Sequence, residues 1–167
     1  MGAVSDLARY TDSAAAAGIE TVCVSTADAT DAIADACRGE TVASARPFDV
    51  ELPSDVVVDP TTAELETAET GVTAGAFAVA DYGTVAITPT PSKEGAVSLF
   101  PPRHVAVVRA EDVVADMVAG FDRIADAFAA GNEDVVLVTG PSVTADMGAL
   151  VKGVHGPAEM HVVIVEP

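Results

Sequence analysis

Basic residues are scarce in this chain of 167 residues: eight lysines and arginines stand against 26 aspartates and glutamates, for a formal net charge of -18. The sequence shows no basic patch of the kind that phosphate backbones and anionic headgroups require, so neither nucleic acid nor a membrane surface is expected as a partner. Cysteine is almost absent, and Cys23 and Cys37 are not spaced as a Cys-x-x-Cys pair. Two such residues supply neither a disulfide framework nor the four thiolates of an iron–sulfur cluster, so both are expected as buried core thiols. Tryptophan is missing and aromatics make up 4% of the residues, which leaves Val, Ala, Ile and Leu to build the core. No run reaches the roughly 18 consecutive apolar residues of a membrane span. Met1 to Arg9 has neither the basic start nor the apolar centre of a signal peptide, and a cytoplasmic location is expected.

What is present fits one folded unit, 1–167. Half of the residues are apolar, enough for one core of ordinary size. A Val- and Ala-rich core suits an α/β fold with a buried parallel or mixed sheet between helices. The acids are scattered through every segment instead of forming a tail, the pattern of a halophilic protein. At molar salt the Debye length falls to about 3 Å, which screens self-repulsion while the carboxylates hold water.

Periodicity and punctuation give the elements. Helices are expected over 5–17, closed by Gly18, over 28–38, closed by Gly39, and over 61–68, where Thr61 can cap. Strands are expected over 20–25, 41–45 and 55–58. Around Tyr82-Gly83, the alternation of Phe77, Val79 and Asp81 followed by Val85 and Ile87 marks a hairpin. A turn-rich loop over 89–95 precedes strands over 96–100 and 104–108. The longest helix is expected over 111–130, with Val114, Val118, Phe121, Ile124, Ala125 and Phe128 on its buried face. A strand over 132–139, a short helix over 144–151 and a final strand over 160–165 complete the chain.

Two loops carry the candidate chemistry. Thr139-Gly140-Pro141-Ser142-Val143-Thr144-Ala145-Asp146 reads as a strand running into a helix, the junction at which α/β sheets hold anions beyond the carboxyl ends of their strands. Ordinary capping by Ser142 or Thr144, with Asp146 in the first helical turn, accounts for the same residues. In Gly153-Val154-His155-Gly156-Pro157, the glycines expose a His that can act as acid or base, or serve only as a turn residue. His161 reads as a packed or hydrogen-bonded strand residue, and His104 is left undecided. The three histidines show no metal-ligand spacing, so no metal site is expected. No nucleotide loop is present, and Gly140 to Thr144 lacks the second glycine of a nucleophile elbow.

These two segments, preceded in order by Gly71-Val72-Thr73, Ala80-Asp81-Tyr82-Gly83-Thr84-Val85 and Leu99-Phe100-Pro101-Pro102-Arg103-His104, resemble the lactate-utilisation (LUD) domain family over 70–167. The likeness is strongest to its small LutC/YkgG-like members. The resemblance implies a three-layer α/β/α sandwich like that of the NagB, RpiA and CoA-transferase group. It also implies a part in iron–sulfur-dependent oxidation of L-lactate to pyruvate. In that system the clusters belong to an iron–sulfur, LUD-containing partner and a cysteine-rich partner, and this chain holds no cofactor. Three departures remove positive charge from the expected anion site. Asp81-Tyr82-Gly83 replaces the usual Glu-Thr-Gly turn, Val143 replaces a common basic residue, and 91–97 offers no counterpart of a frequent arginine.

Two readings of function follow. One is an accessory, non-redox subunit of a lactate-oxidising assembly. The other is an autonomous enzyme of CoA-transferase or sugar-phosphate-isomerase type. There Thr84, Thr139, Gly140, Ser142, Thr144, Asp146, Gly153 and Gly156 would bind a small anion, and His155, Asp81 or Glu69 would move a proton. The charge generates its own test: the thermal unfolding midpoint should rise from dilute buffer to molar KCl, and a midpoint that stays flat would refute the halophilic reading.

Overall fold

The computed structural model describes residues 2–45, 47–89, 93–146 and 149–167. In chain order its elements are α1 (Gly2–Ala16), β1 (Glu20–Ser25), α2 (Ala29–Ala36), β2 (Thr41–Ala43), β3 (Val57–Val58), α3 (Thr62–Thr67), β4 (Thr70–Ala74), β5 (Phe77–Val79), β6 (Thr84–Ile87), α4 (Glu94–Leu99), β7 (Arg103–Arg109), β8 (Val113–Val114), α5 (Met117–Ala129), β9 (Val136–Val138), β10 (Val143–Asp146), β11 (Ala149–Lys152) and β12 (Glu159–Glu166). Short 3-10 turns, Thr26–Asp28 and Ala110–Asp112, precede α2 and β8.

Six strands form a central sheet in the order β1-β12-β7-β4-β2-β3, with every pairing parallel. Such a sheet must be covered on both faces, and the strand sequences supply apolar side chains in both directions. Val72, Val105, Val107, Val163 and Val165 meet Ala29, Ile33 and Ala36 of α2 on one face. Ala106, Val108, Met160, Val162 and Ile164 meet Tyr10 and Ala14 of α1 on the other. The architecture is an α/β/α sandwich with a further β layer. In that layer the four-stranded sheet β8-β5-β6-β9 turns Ala78, Ala80, Val85 and Ile87 toward the central sheet. It turns Phe77, Val79 and Ala86 toward Met117 and Ile124 of α5. The chain crosses between the sheets at Gly75, where any side chain would run into Val108 and Val85. No helix among the described residues is long and apolar enough to cross a membrane.

Several expectations need correction. Residues 96–100 are not a strand, because the segment belongs to α4, which sets Val97 onto Val42 and Leu65. An apolar run that short does not separate the two periods. The long helix begins only at Met117, where the Asp116 carboxylate caps it by accepting from Ala119 N–H at 2.9 Å. Its expected buried face is largely outside: Val118 is 74% and Phe121 61% exposed, and the helix buries Gly120 instead. The strand expected over 132–139 shrinks to β9, an edge strand of the smaller sheet. The helix expected over 144–151 is the antiparallel ribbon β10–β11, and residues 147–148 of that expectation lie outside the described residues. β-Branched Val143, Thr144 and Val151 favour the extended form there. Of the loop over 89–95, and of the 91–97 stretch compared with the family, residues 90–92 likewise lie outside. Cys23 is exposed and Cys37 half-buried, so neither is a sealed core thiol. Burial pushes the Cys37 thiol up to about 11, which keeps it protonated and unreactive.

Glycine positions test the packing of α4 on the sheet. A Cβ on Gly71 would collide with the Val97 carbonyl oxygen and press Pro101 at 3.1 Å, whereas one on Gly95 meets only ordinary contacts with Pro89. Gly71→Ala should therefore lower the unfolding free energy by about 1–3 kcal/mol. Gly95→Ala should raise it by about 0.4–1 kcal/mol, with urea titration as the readout.

Candidate functional site

The C-terminal turn of α1 is the seat on which two loops rest. At Gly83, with φ +65°, a Cβ would lie 2.5 Å from the Ala14 backbone, and at Gly140, with φ +82°, it would strike the Ala17 carbonyl. Only glycine combines the left-handed backbone with such close approach. The β5–β6 turn and the loop after β9 are thereby brought together, and Thr84 and Thr139 share a hydroxyl hydrogen bond of 2.7 Å. Asp81, on the same turn, pairs with Arg9 of α1 at 3.2 Å.

Ser142 fastens the second loop. Its N–H donates to Pro157 C=O at 2.8 Å and its C=O accepts from Gly153 N–H at 2.9 Å. Its hydroxyl accepts from the His155 backbone N–H at 3.3 Å. The serine therefore spends its polar groups on loop geometry, and the His155 imidazole stands exposed, bonded to no described residue. No Ser–His proton relay exists at this point. Gly156 packs on Ser142 and Leu99, and Gly153, with φ +76°, sits on Ala158. Thr144 is opposite Val151 in the ribbon, and Asp146 pairs through its backbone with Ala149.

The end of the sheet differs from the expectation. Because β9 belongs to the smaller sheet, the loops lie over the amino ends of the parallel strands, where Ala158 and Glu159 N–H donate to Pro102 C=O. The loop leaves β9 of the smaller sheet, so neither the carboxyl end of a central-sheet strand nor a helix N-terminus supplies it, and the rule for doubly wound sheets does not apply. Glu69 is also at this end, but its carboxylate leans on Gly39. No hydrogen bond among the described residues joins it to the two loops.

Sequence reasoning missed the charged cluster beside these loops. Arg103 is buried at the start of β7, where its guanidinium donates to Ala36 C=O at 2.6 Å and Glu20 at 3.0 Å, and also to Glu159. Arg38 reaches Glu159 at 2.8 Å. The hydrogen bond from Arg103, followed by one from His161, holds the Glu20 carboxyl below its ordinary range. Burial chiefly depresses His161, and its Nδ1 lies 3.2 Å from Glu20, whose ionised carboxylate can only accept. Its Nε2 has no partner among the described residues. The signal available in the sequence was the rarity of cations, since Arg38, Arg103 and Lys152 line one cavity of about 210 Å³ with Glu20 and Glu159.

His104 takes a different part. It is fully buried, with Nε2 at 2.8 Å from Thr73 Oγ1 and Nδ1 unpartnered among the described residues.

The fold and these motif loops define a LUD domain: the LUD domain family model matches residues 44–165, and the chain belongs to that family. Among curated relatives, lactate utilization protein C of Bacillus licheniformis is 36% identical over 107 residues, covering 60% of this chain and 44% of that protein. Lactate utilization protein C of Deinococcus radiodurans is 31% identical over 105 residues, covering 62% and 49%. The matched stretches thus span about half the length of these relatives. A crystal structure of a DUF162 family protein from Deinococcus radiodurans superposes with a TM-score of 0.76 at 24% identity, covering 99% of both chains, and it supports the fold alone.

The buried histidine predicts a pH dependence. Desolvation lowers His104 from 6.5 to about 4, so between those values the unfolded chain binds a proton that the folded chain refuses. Stability should therefore climb as pH rises from about 4 to 6.5, by up to about 3 kcal/mol for this group, and level off above. His104→Gln should flatten that part of the stability–pH profile, and an unchanged slope would contradict the assignment.

Proposed function

We propose that this chain is a lactate-utilisation protein: a non-redox, accessory component of a system that oxidises L-lactate to pyruvate. The curated relatives bear the name lactate utilization protein C, and the family match covers most of the chain. The oxidation needs an acceptor for two electrons, and two cysteines on separate elements do not fit a four-thiolate cluster. The reading therefore assigns the iron–sulfur clusters to an LUD-containing partner and a cysteine-rich partner.

The observation that favours docking over autonomous catalysis is the surface of the motif loops. Leu150 is 78% exposed on the ribbon with Val143 exposed on the same face; Val151 is exposed on the opposite face, Val154 in the following loop, and Leu99 and Phe100 at the end of α4 near Gly156. A patch of this kind marks a protein interface more often than a monomer's surface. Ser142, committed to loop bonds, and His155, with a free imidazole, do not form an acid–base pair.

Deletion of the gene should impair growth on lactate. In the deletion strain, His155→Ala should restore lactate consumption nearly in full, whereas Leu150→Asp should restore little of it. A loss of about 10²-fold in His155→Ala, the size of a missing general acid or base, would turn the assignment toward catalysis. Normal growth of the deletion strain on lactate, with no duplicate gene, would refute both forms.

A further inference from the structure

The chain has eight Lys and Arg residues, and three of them meet at one place. Arg38 arrives from the end of α2, Arg103 from the start of β7 and Lys152 from the end of β11, so segments remote in sequence converge on the cavity of about 210 Å³ at the amino ends of β1 and β12. Two carboxylates face them. Arg103 is consumed by Glu20, Glu159 and Ala36, and Arg38 gives one nitrogen to Glu159. Lys152 has no hydrogen bond or ion pair with any described residue. In a chain with 26 acids, an ammonium beside a cavity that pairs with no carboxylate among the described residues is an uncommon arrangement.

We propose that this cavity binds a small monocarboxylate, with the Lys152 ammonium and the free nitrogens of Arg38 holding the anion. The charge of the lining sets the class of ligand. Three cations against two carboxylates leave a single positive charge, which one negative charge neutralises, whereas a phosphate dianion would bring a second charge toward Glu20 and Glu159. Pro141, Ala158 and Met160 line the same cavity and offer apolar contact to the short hydrocarbon part of such an acid. Pro141 lies in the first motif loop and Lys152 ends β11 just before the second, so ligand occupancy would be felt at the surface proposed above for docking. The choice of lactate and pyruvate as ligands rests on the proposed function; the monocarboxylate class does not.

The test is titration of the purified full chain, followed by NMR at fixed chloride, with propionate, L-lactate, pyruvate and inorganic phosphate in turn. Saturable shifts with at least one of the three monocarboxylates are expected, at lower concentration than with phosphate. Lys152→Gln should weaken that binding at least 10-fold and Lys152→Arg should recover most of it. Lys152 is exposed on a two-stranded ribbon, so neither change threatens the core. Absence of saturable binding, equal binding by Lys152→Gln, or preference for phosphate would overturn the site. Propionate binding with normal growth of the deletion strain on lactate would leave the site standing and remove the lactate assignment. Impaired growth with no carboxylate binding would do the reverse.

Discussion

A guanidinium inside a parallel sheet is costly unless every direction around it offers an acceptor, and Arg103 is placed where three acceptors converge. The C-terminal carbonyl of Ala36 turns the negative end of α2 toward it, and carboxylates from the first residues of β1 and β12 close the other sides. One side chain thus ties a helix and three strands at the same edge. Only the Arg103 end of these pairs is buried, Glu20 and Glu159 being half-exposed, and removing the guanidinium would leave the two carboxylates facing each other beside Arg38. The position of His161 follows from it as well, because Glu20 is the group that His161 meets. So does the mouth of the cavity, since the carboxylates that satisfy Arg103 form one of its walls.

The motif loops are organised by a different constraint, the approach of backbone to backbone. Gly83 and Gly140 let two turns lie on the last turn of α1 without an intervening side chain, and the Thr84–Thr139 bond then joins the hairpin to the end of β9. Ser142 transfers that register to the 153–157 loop through three hydrogen bonds. The segment that reads as a ligand cradle in sequence also serves in space as a joint. Its polar groups fasten the ribbon to the loops at the end of the sheet, and the side chains left exposed there include Val143, Leu150 and Val154 together with Lys152 and His155.

The fold was legible where period and punctuation were strong. β1, β7, β12, the hairpin around Tyr82-Gly83 and α3 all lie within a residue or two of their expected bounds. The Thr61–Glu64 capping box, with bonds of 3.3 and 2.8 Å, is written in the four residues that form it. The sequence failed where a short apolar run admits either period, as in Ala96 to Phe100, and where tertiary packing overrode the pattern, as on α5. There the apolar stripe of Val118, Phe121 and Phe128 exceeds what the small sheet can cover. For the site, the association of the Gly140 and Gly153 loops was readable from the motifs, but their place over the amino ends of the strands was not. That depended on β9 joining the second sheet, a pairing with no local signal. The Arg38, Arg103 and Lys152 cluster was hidden for the same reason, because long-range topology alone brings those residues together.

Charge distribution connects the ribbon to the rest of the surface. From Val135 to Ala158, in a chain otherwise dense in acids, the only acidic residue is Asp146, and Lys152 and His155 lie in the same stretch. A surface this acidic repels any acidic surface brought up to it, and in molar salt screening would confine that repulsion to neighbours within about 3 Å. What remains decisive is the charge inside the contact itself. A ribbon nearly free of acids, carrying Leu150 and Val154 outward, is therefore the part of this molecule where close approach costs least. It is also the part that a bound anion at Lys152 would make more negative. If the proposed carboxylate site and the proposed docking surface are both real, they are physically linked at β11, and the sign of that link would be set by the charge a partner presents to the ribbon.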